Sequence, residues 1–155
     1  MAARAGRRGL VIILTVGAVA GCLLALAAWG YWPWRDKPQV AVPPPTASPR
    51  QVVQAYLRAL DAHDSATAEA LSTPGFRATT DLWLNTTASI TRISIGAVQY
   101  FPLAPAGQRY EVPVEFWYSS HWWKQDPSFP DGQEGWGYQL VRSHGRYLIN
   151  DDGVG

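Results

Sequence analysis

Residues Gly9 to Tyr31 form a run of 23 residues without one charged side chain, preceded by Arg4, Arg7 and Arg8 and followed by Arg35. At 1.5 Å per residue this run makes a helix of roughly 34 Å, enough to cross the ~30 Å hydrocarbon core of a bilayer. The rest of the chain then reads as what a membrane holds out on one side. The run closes on Trp29-Gly30-Tyr31-Trp32-Pro33-Trp34. Tryptophan and tyrosine favour the membrane–water interface. A cleaved signal has a shorter apolar core and ends on small residues, so a retained single-pass anchor is expected. The arginines place the N-terminus in the cytoplasm and the C-terminal part outside.

A second reading of the same stretch stays open. Val19-Ala20-Gly21-Cys22 matches the pattern of a bacterial lipobox, which makes Cys22 a candidate lipidation site. Against it, residues 23–34 remain apolar where a lipoprotein continues with a polar tether. Small residues at 17, 20 and 21 also fit a helix that packs closely on another helix.

The expected organisation is a basic cytoplasmic N-terminus at 1–8, a transmembrane helix with an aromatic outer end at 9–34, a proline-rich linker at 35–47 and an outer domain at 48–155. The linker carries four prolines between Lys37 and Ser48, which impose extended geometry and make it a semi-rigid spacer. From Ser48 onward 8 basic side chains face 11 acidic ones, so the domain is near −3. Nucleic-acid binding needs clustered lysine and arginine, and this balance argues against it. Cys22 is the sole cysteine, so the domain has no disulfide and no thiolate metal site.

Within the domain, Ser48-Pro49-Arg50-Gln51 is a helix start with a capping box, and Val53, Tyr56, Leu57 and Leu60 fall on one stripe. Ser65 caps a second, short alanine-rich helix from Ala66 to Leu71, and a third segment runs from Phe76 to about Thr87 with Phe76, Leu82 and Trp83 inward. The period then becomes two. Strands are expected at Ile90–Phe101, Tyr110–Tyr118, Trp136–Arg142 and Arg146–Asn150, the last two joined by a His144-Gly145 turn. Pro113 points to an edge or a bulge. Helices first and an antiparallel meander after them make an α+β domain.

The helix ending Leu60-Asp61-Ala62-His63-Asp64, the Thr73-Pro74-Gly75-Phe76 turn and the closing Gly145-Arg146-Tyr147-Leu148-Ile149-Asn150-Asp151 resemble the nuclear-transport-factor-2-like (SnoaL-like, cystatin-like) superfamily. More narrowly, they resemble small single-pass actinobacterial membrane proteins that carry such a domain. The resemblance implies a cone of two to three helices packed on a curved four-stranded antiparallel sheet, with an apolar pocket. It admits isomerases, cyclases and hydrolases, non-catalytic binding domains, and assembly components of secretion or conjugation complexes.

The polar candidates His63, Asp64, Asp81, His121, Asp126, His144 and Asp151 form no pair with catalytic spacing and no metal-binding spacing. No catalytic residue, metal or cofactor is therefore assigned. Trp117, Tyr118, His121, Trp122, Trp123 and Trp136 are the candidate ligand or partner surface, because tryptophan and tyrosine dominate such contacts. Trp122 and Trp123 cannot both point inward from one strand. The expected function is a non-catalytic extracytoplasmic module that binds a protein partner or a small apolar ligand in the cell envelope. A pocket enzyme of the isomerase, cyclase or hydrolase type is the alternative.

Overall fold

The computed structural model describes residues 39–101, 109–124 and 129–154. The chain divides into two units at Lys37 and Pro38, and these residues belong to the second.

Helix α1, Pro49–Ala62, begins with the capping box. The Ser48 amide donates to Gln51 Oε1 at 2.8 Å, and the Gln51 amide to Ser48 Oγ at 3.4 Å. Two first-turn donors are thereby satisfied, and Pro49 at the first helical position has no donor to satisfy. Val53, Tyr56, Leu57 and Leu60 are fully buried, so the apolar stripe faces the core. The helix ends at His63, which takes the left-handed conformation (φ 52°), while the Asp64 amide returns to the Ala59 carbonyl at 2.8 Å.

Asp64 caps α2, Ser65–Ala70, by accepting from the Thr67 amide at 3.1 Å. The same carboxylate accepts from the Val40 amide at 2.9 Å, and the Thr67 hydroxyl donates to the Val40 carbonyl at 2.8 Å. Val40 is thus clasped at both backbone groups, and Ala47 is buried, so this part of the proline-rich segment lies on the domain.

Helix α3, Arg77–Thr86, buries Thr80 and Trp83. Leu82, expected inward, is 62% exposed. Trp83 lies one position further on and faces the core, and consecutive helical residues are about 100° apart.

The expected four-stranded sheet is corrected to a five-stranded antiparallel one. Its strands are β1 Thr87–Ile95, β2 Gln99–Phe101, β3 Arg109–Ser120, β4 Gly132–Ser143 and β5 Arg146–Val154. The order is β1-β3-β4-β5, with β2 also pairing β3. The single strand expected over Ile90–Phe101 breaks into β1 and β2 at 96–98, and Pro113 is the reason. Pro113 sits on the central strand rather than an edge, and its carbonyl accepts from the Gly96 amide at 2.8 Å. In an antiparallel ladder a residue's N–H and C=O point to the same side. The donor that proline lacks therefore faces the break. A Cβ at Gly96 would lie 2.8 Å from Pro113 Cγ, so the close approach requires glycine.

On β3 the alternation buries Val112, Val114, Phe116 and Tyr118 against the helices and turns Glu115 and Trp117 to the other face. At the edge, β5 is partly covered by the segment after α2. The Thr73 amide donates to the Ile149 carbonyl, and the Ile149 amide to the Leu71 carbonyl, each at 2.8 Å. His144 (φ 50°) and Gly145 (φ 81°) form the β4–β5 turn with the two positive φ angles that a two-residue hairpin uses.

Among the described residues no helix is long and apolar enough to cross a membrane. The transmembrane helix expected at 9–34 lies outside the described residues. Residues 1–8, Cys22 and Asp126 lie outside them as well.

Candidate functional site

The six aromatic and imidazole side chains expected to share one surface are divided by the fold among three places. Tyr118 and Trp136 belong to the interior. They meet Trp83 of α3 edge-on at centroid distances of 5.7 and 5.2 Å, and Phe129 joins them at 5.3 Å from Trp83. Trp83 is thus the hub between the helices and the sheet.

Beneath this hub lies a set of buried polar groups. The Tyr56 hydroxyl donates to Thr80 Oγ1 at 3.2 Å, and Thr80 Oγ1 is 2.9 Å from Ser72 Oγ, which in turn donates to the Ala68 carbonyl at 2.8 Å. Trp83 Nε1 donates to Asp152 Oδ2 at 2.7 Å. Burial pushes the Asp152 carboxyl up from the ordinary aspartate range; the indole hydrogen bond opposes this and the neighbouring Asp151 charge adds to it. Tyr138 is completely buried, and its hydroxyl has no hydrogen-bond partner among the described residues. Burial, together with Tyr56 and Asp152 nearby, pushes its ionisation up.

Sequence reasoning singled out Asp151 and passed over Asp152. Strand β4 pairs Leu140 with Ile149 but Gln139 with Asp151, so Asn150 is an extra residue. This bulge reverses the alternation. Simple counting from the buried Ile149 would turn Asp151 inward. With the bulge Asp152 faces the core and Asp151 is exposed. No local signal marks the slip.

The second place is the end of β3. The His121 amide donates to the Thr86 carbonyl at 3.0 Å, and the Lys124 amide to the His121 carbonyl at 2.8 Å, which makes a tight turn. At its base Asp131 Oδ1 accepts from both the amide and the hydroxyl of Ser120, at 2.7 and 2.8 Å. His63, at the end of α1, stacks on His121 at 5.8 Å, and His121 stacks on Trp123 at 4.6 Å and 9°. His63 Nδ1 lies 3.2 Å from the Leu84 carbonyl. Trp122 stands edge-on to Trp123 at 5.4 Å and 89°. The tryptophans project outward: Trp122 is 81% exposed and Trp123 55%. His63 and His121, widely separated in sequence, are brought together here.

The third place is the outer sheet face, where Trp117 is 44% exposed and the Arg92 guanidinium lies 5.2 Å from its ring centroid. A further aromatic group is revealed by strand pairing alone. Tyr110 lies 5.5 Å from Tyr100 and 5.0 Å from Tyr147, and Arg142 lies 5.8 Å from the Tyr147 ring.

The remaining candidates do not converge. Asp81 and His144 are exposed, and Asp64 is engaged as a cap. Among the described residues no three His, Cys, Asp or Glu side chains are placed to hold a metal ion. The wider surface groove, about 490 Å³, is lined by Ser48, Arg50, Gln51, Gln54, Ile93 and Ile95 and lacks an acid–base pair.

No family model matches the chain, and no curated protein matches it. A SEC-C motif containing protein from Rhodopseudomonas palustris, known from its solution structure, is similar at 12% identity and a TM-score of 0.48, over 70% of this chain and 79% of that one. The expected resemblance to the nuclear-transport-factor-2-like (SnoaL-like, cystatin-like) superfamily is withdrawn, since no family model matches the chain. It rested on one helix end, a short alanine-rich helix, one turn and one closing strand, which are patterns of elements and not a catalytic signature.

Proposed function

We propose that residues 48–155 form a binding module without catalytic chemistry, acting in the cell envelope, and that Trp122 and Trp123 are the contact a protein partner takes up. The exposure of these two indoles, 81% and 55%, carries the reading. Burying a tryptophan removes 150–250 Å² from water, worth several kcal/mol at about 25 cal/mol per Å². The indoles are presented at right angles on a turn held by Asp131 from one side and by the imidazole stack from the other. A rigid aromatic anchor spends little entropy on binding, and tryptophan leads among interface hot spots. A small apolar ligand on the same indoles is the variant of this reading with the smaller contact.

The place of action we propose is a cell membrane, with attachment through residues 9–34. Support for this comes from the uncharged apolar run, its flanking arginines and its aromatic end. Mass spectrometry of the mature N-terminus of protein recovered from the membrane fraction tests the mode of attachment: a diacylglyceryl group on Cys22 indicates a lipoprotein, and an unmodified intact chain that resists high-salt and alkaline extraction indicates direct insertion.

Asp152, with its carboxyl shifted toward neutrality, favours the second reading, a pocket enzyme. The wider groove, lined by Ser48, Arg50, Gln51, Gln54, Ile93 and Ile95, does not include Asp152. Affinity capture with the Trp122→Ala/Trp123→Ala variant tests the choice. Loss of about 2 kcal/mol, roughly thirtyfold in Kd, with an unchanged melting temperature is expected. Undiminished capture by the double variant contradicts the assignment.

A further inference from the structure

The outer sheet face holds a built feature independent of the indole pair at the end of β3. Strand β1 pairs Thr91 with Trp117 and Ser94 with Glu115, so it carries one residue more than β3 over this interval. The bulge places Arg92 at φ 53°, left-handed backbone that only glycine adopts freely. A non-glycine residue held there is strained, and such strain collects where a side chain must be aimed. Here the aim is visible: the guanidinium lies over the Trp117 ring, while Ile93 of the same bulge packs against the core.

Beside this pair is a groove of about 160 Å³ lined by Arg92, Ser94, Glu115, Phe116, Trp117 and Gln133. On the next strand Gly135 pairs with Glu115, and a Cβ built there would meet no heavy atom within 4 Å. The sheet next to the groove is therefore bare. One wall offers an indole that is 44% exposed; the rest offers donors (Arg92), acceptors (Glu115) and groups that do both (Ser94, Gln133). A purely apolar ligand would leave Arg92 and Glu115 desolvated without partners, which is costly. An anion would face Glu115 and a cation would face Arg92. A neutral ring with C–H groups on one face and hydroxyls around its rim satisfies all of these groups together.

We propose that this groove binds a neutral pyranose sugar, one ring at a time, with the indole against the ring's C–H face and Arg92, Glu115 and Gln133 on its hydroxyls. The test is saturation-transfer NMR on the purified full chain, free of glycoside detergent, with glucose, galactose, mannose and N-acetylglucosamine as probes. Saturable binding of at least one probe at about millimolar Kd is expected. Trp117→Ala and Arg92→Gly should each weaken it at least tenfold. Arg92→Gly should also melt no lower than the parent, because glycine relieves the left-handed backbone. No saturable binding by any of the four probes overturns the proposal, as does binding unaltered in either variant.

Discussion

At the scale of single residues, the interior holds two polar groups whose chemistry is set by burial. Asp152 has its carboxyl raised above the ordinary aspartate value, so the folded state holds the proton more tightly than the unfolded chain does. Its contribution to stability is complete below the ordinary aspartate range and is lost as pH rises through the raised value. Asp152→Asn keeps an acceptor for Trp83 Nε1 and removes the charge. Its melting temperature should therefore gain on the parent as pH goes from about 4 to 7, as calorimetry across that range will show; a difference independent of pH contradicts this. Tyr138 offers the complementary case. Its buried hydroxyl has no hydrogen-bond partner among the described residues, so Tyr138→Phe should be neutral or stabilising by up to about 1 kcal/mol in urea unfolding. A loss above that size means the hydroxyl is satisfied, by a buried water for instance.

At the scale of elements, two aspartates act as fasteners. Asp131 holds the start of the turn after β3 through both Ser120 donors. Asp131→Ala should cost about 1.5–3 kcal/mol, the range for hydrogen bonds to a charged group. It should also speed amide exchange over 120–124, and unchanged exchange there would show that the turn is held by other means. Asp64 caps α2 and clasps Val40. Burial pushes its carboxyl up, but hydrogen bonds from the Thr67 and Val40 amides outweigh it and hold the carboxyl below the ordinary range. Its stabilisation is present above the ordinary aspartate value and lost as pH falls through the depressed one. Asp64→Ala should cost about 1 kcal/mol at neutral pH and release Val40 to faster exchange. Equal denaturation midpoints for the two proteins would contradict the clasp.

These elements also show what can be read from sequence. The capping box at Ser48, the stripe from Val53 to Leu60, the alternation along Val112–Tyr118 and the His144-Gly145 turn are local patterns, and each forms at its residues. The failures come from events that no local pattern records. One inserted residue at Asn150 turns Asp152 rather than Asp151 inward. Pro113 breaks a neighbouring strand instead of its own. The aromatic candidates were recognisable as a composition but not as a site, because strand parity separates Trp117 from Tyr118 and only tertiary packing sets His63 against His121.

For the whole molecule, the fold packs Tyr118 and Trp136 against its core and leaves Trp122 and Trp123 exposed. The function proposed above makes these two indoles the docking point of a binding module. Site-specific photo-crosslinking in intact cells tests it most directly, with a benzophenone side chain at position 122 and, as control, at position 111 on the outer sheet face. A discrete protein adduct from position 122 and none from position 111 is the predicted result. No adduct from position 122, or the same adducts from both positions, would contradict it.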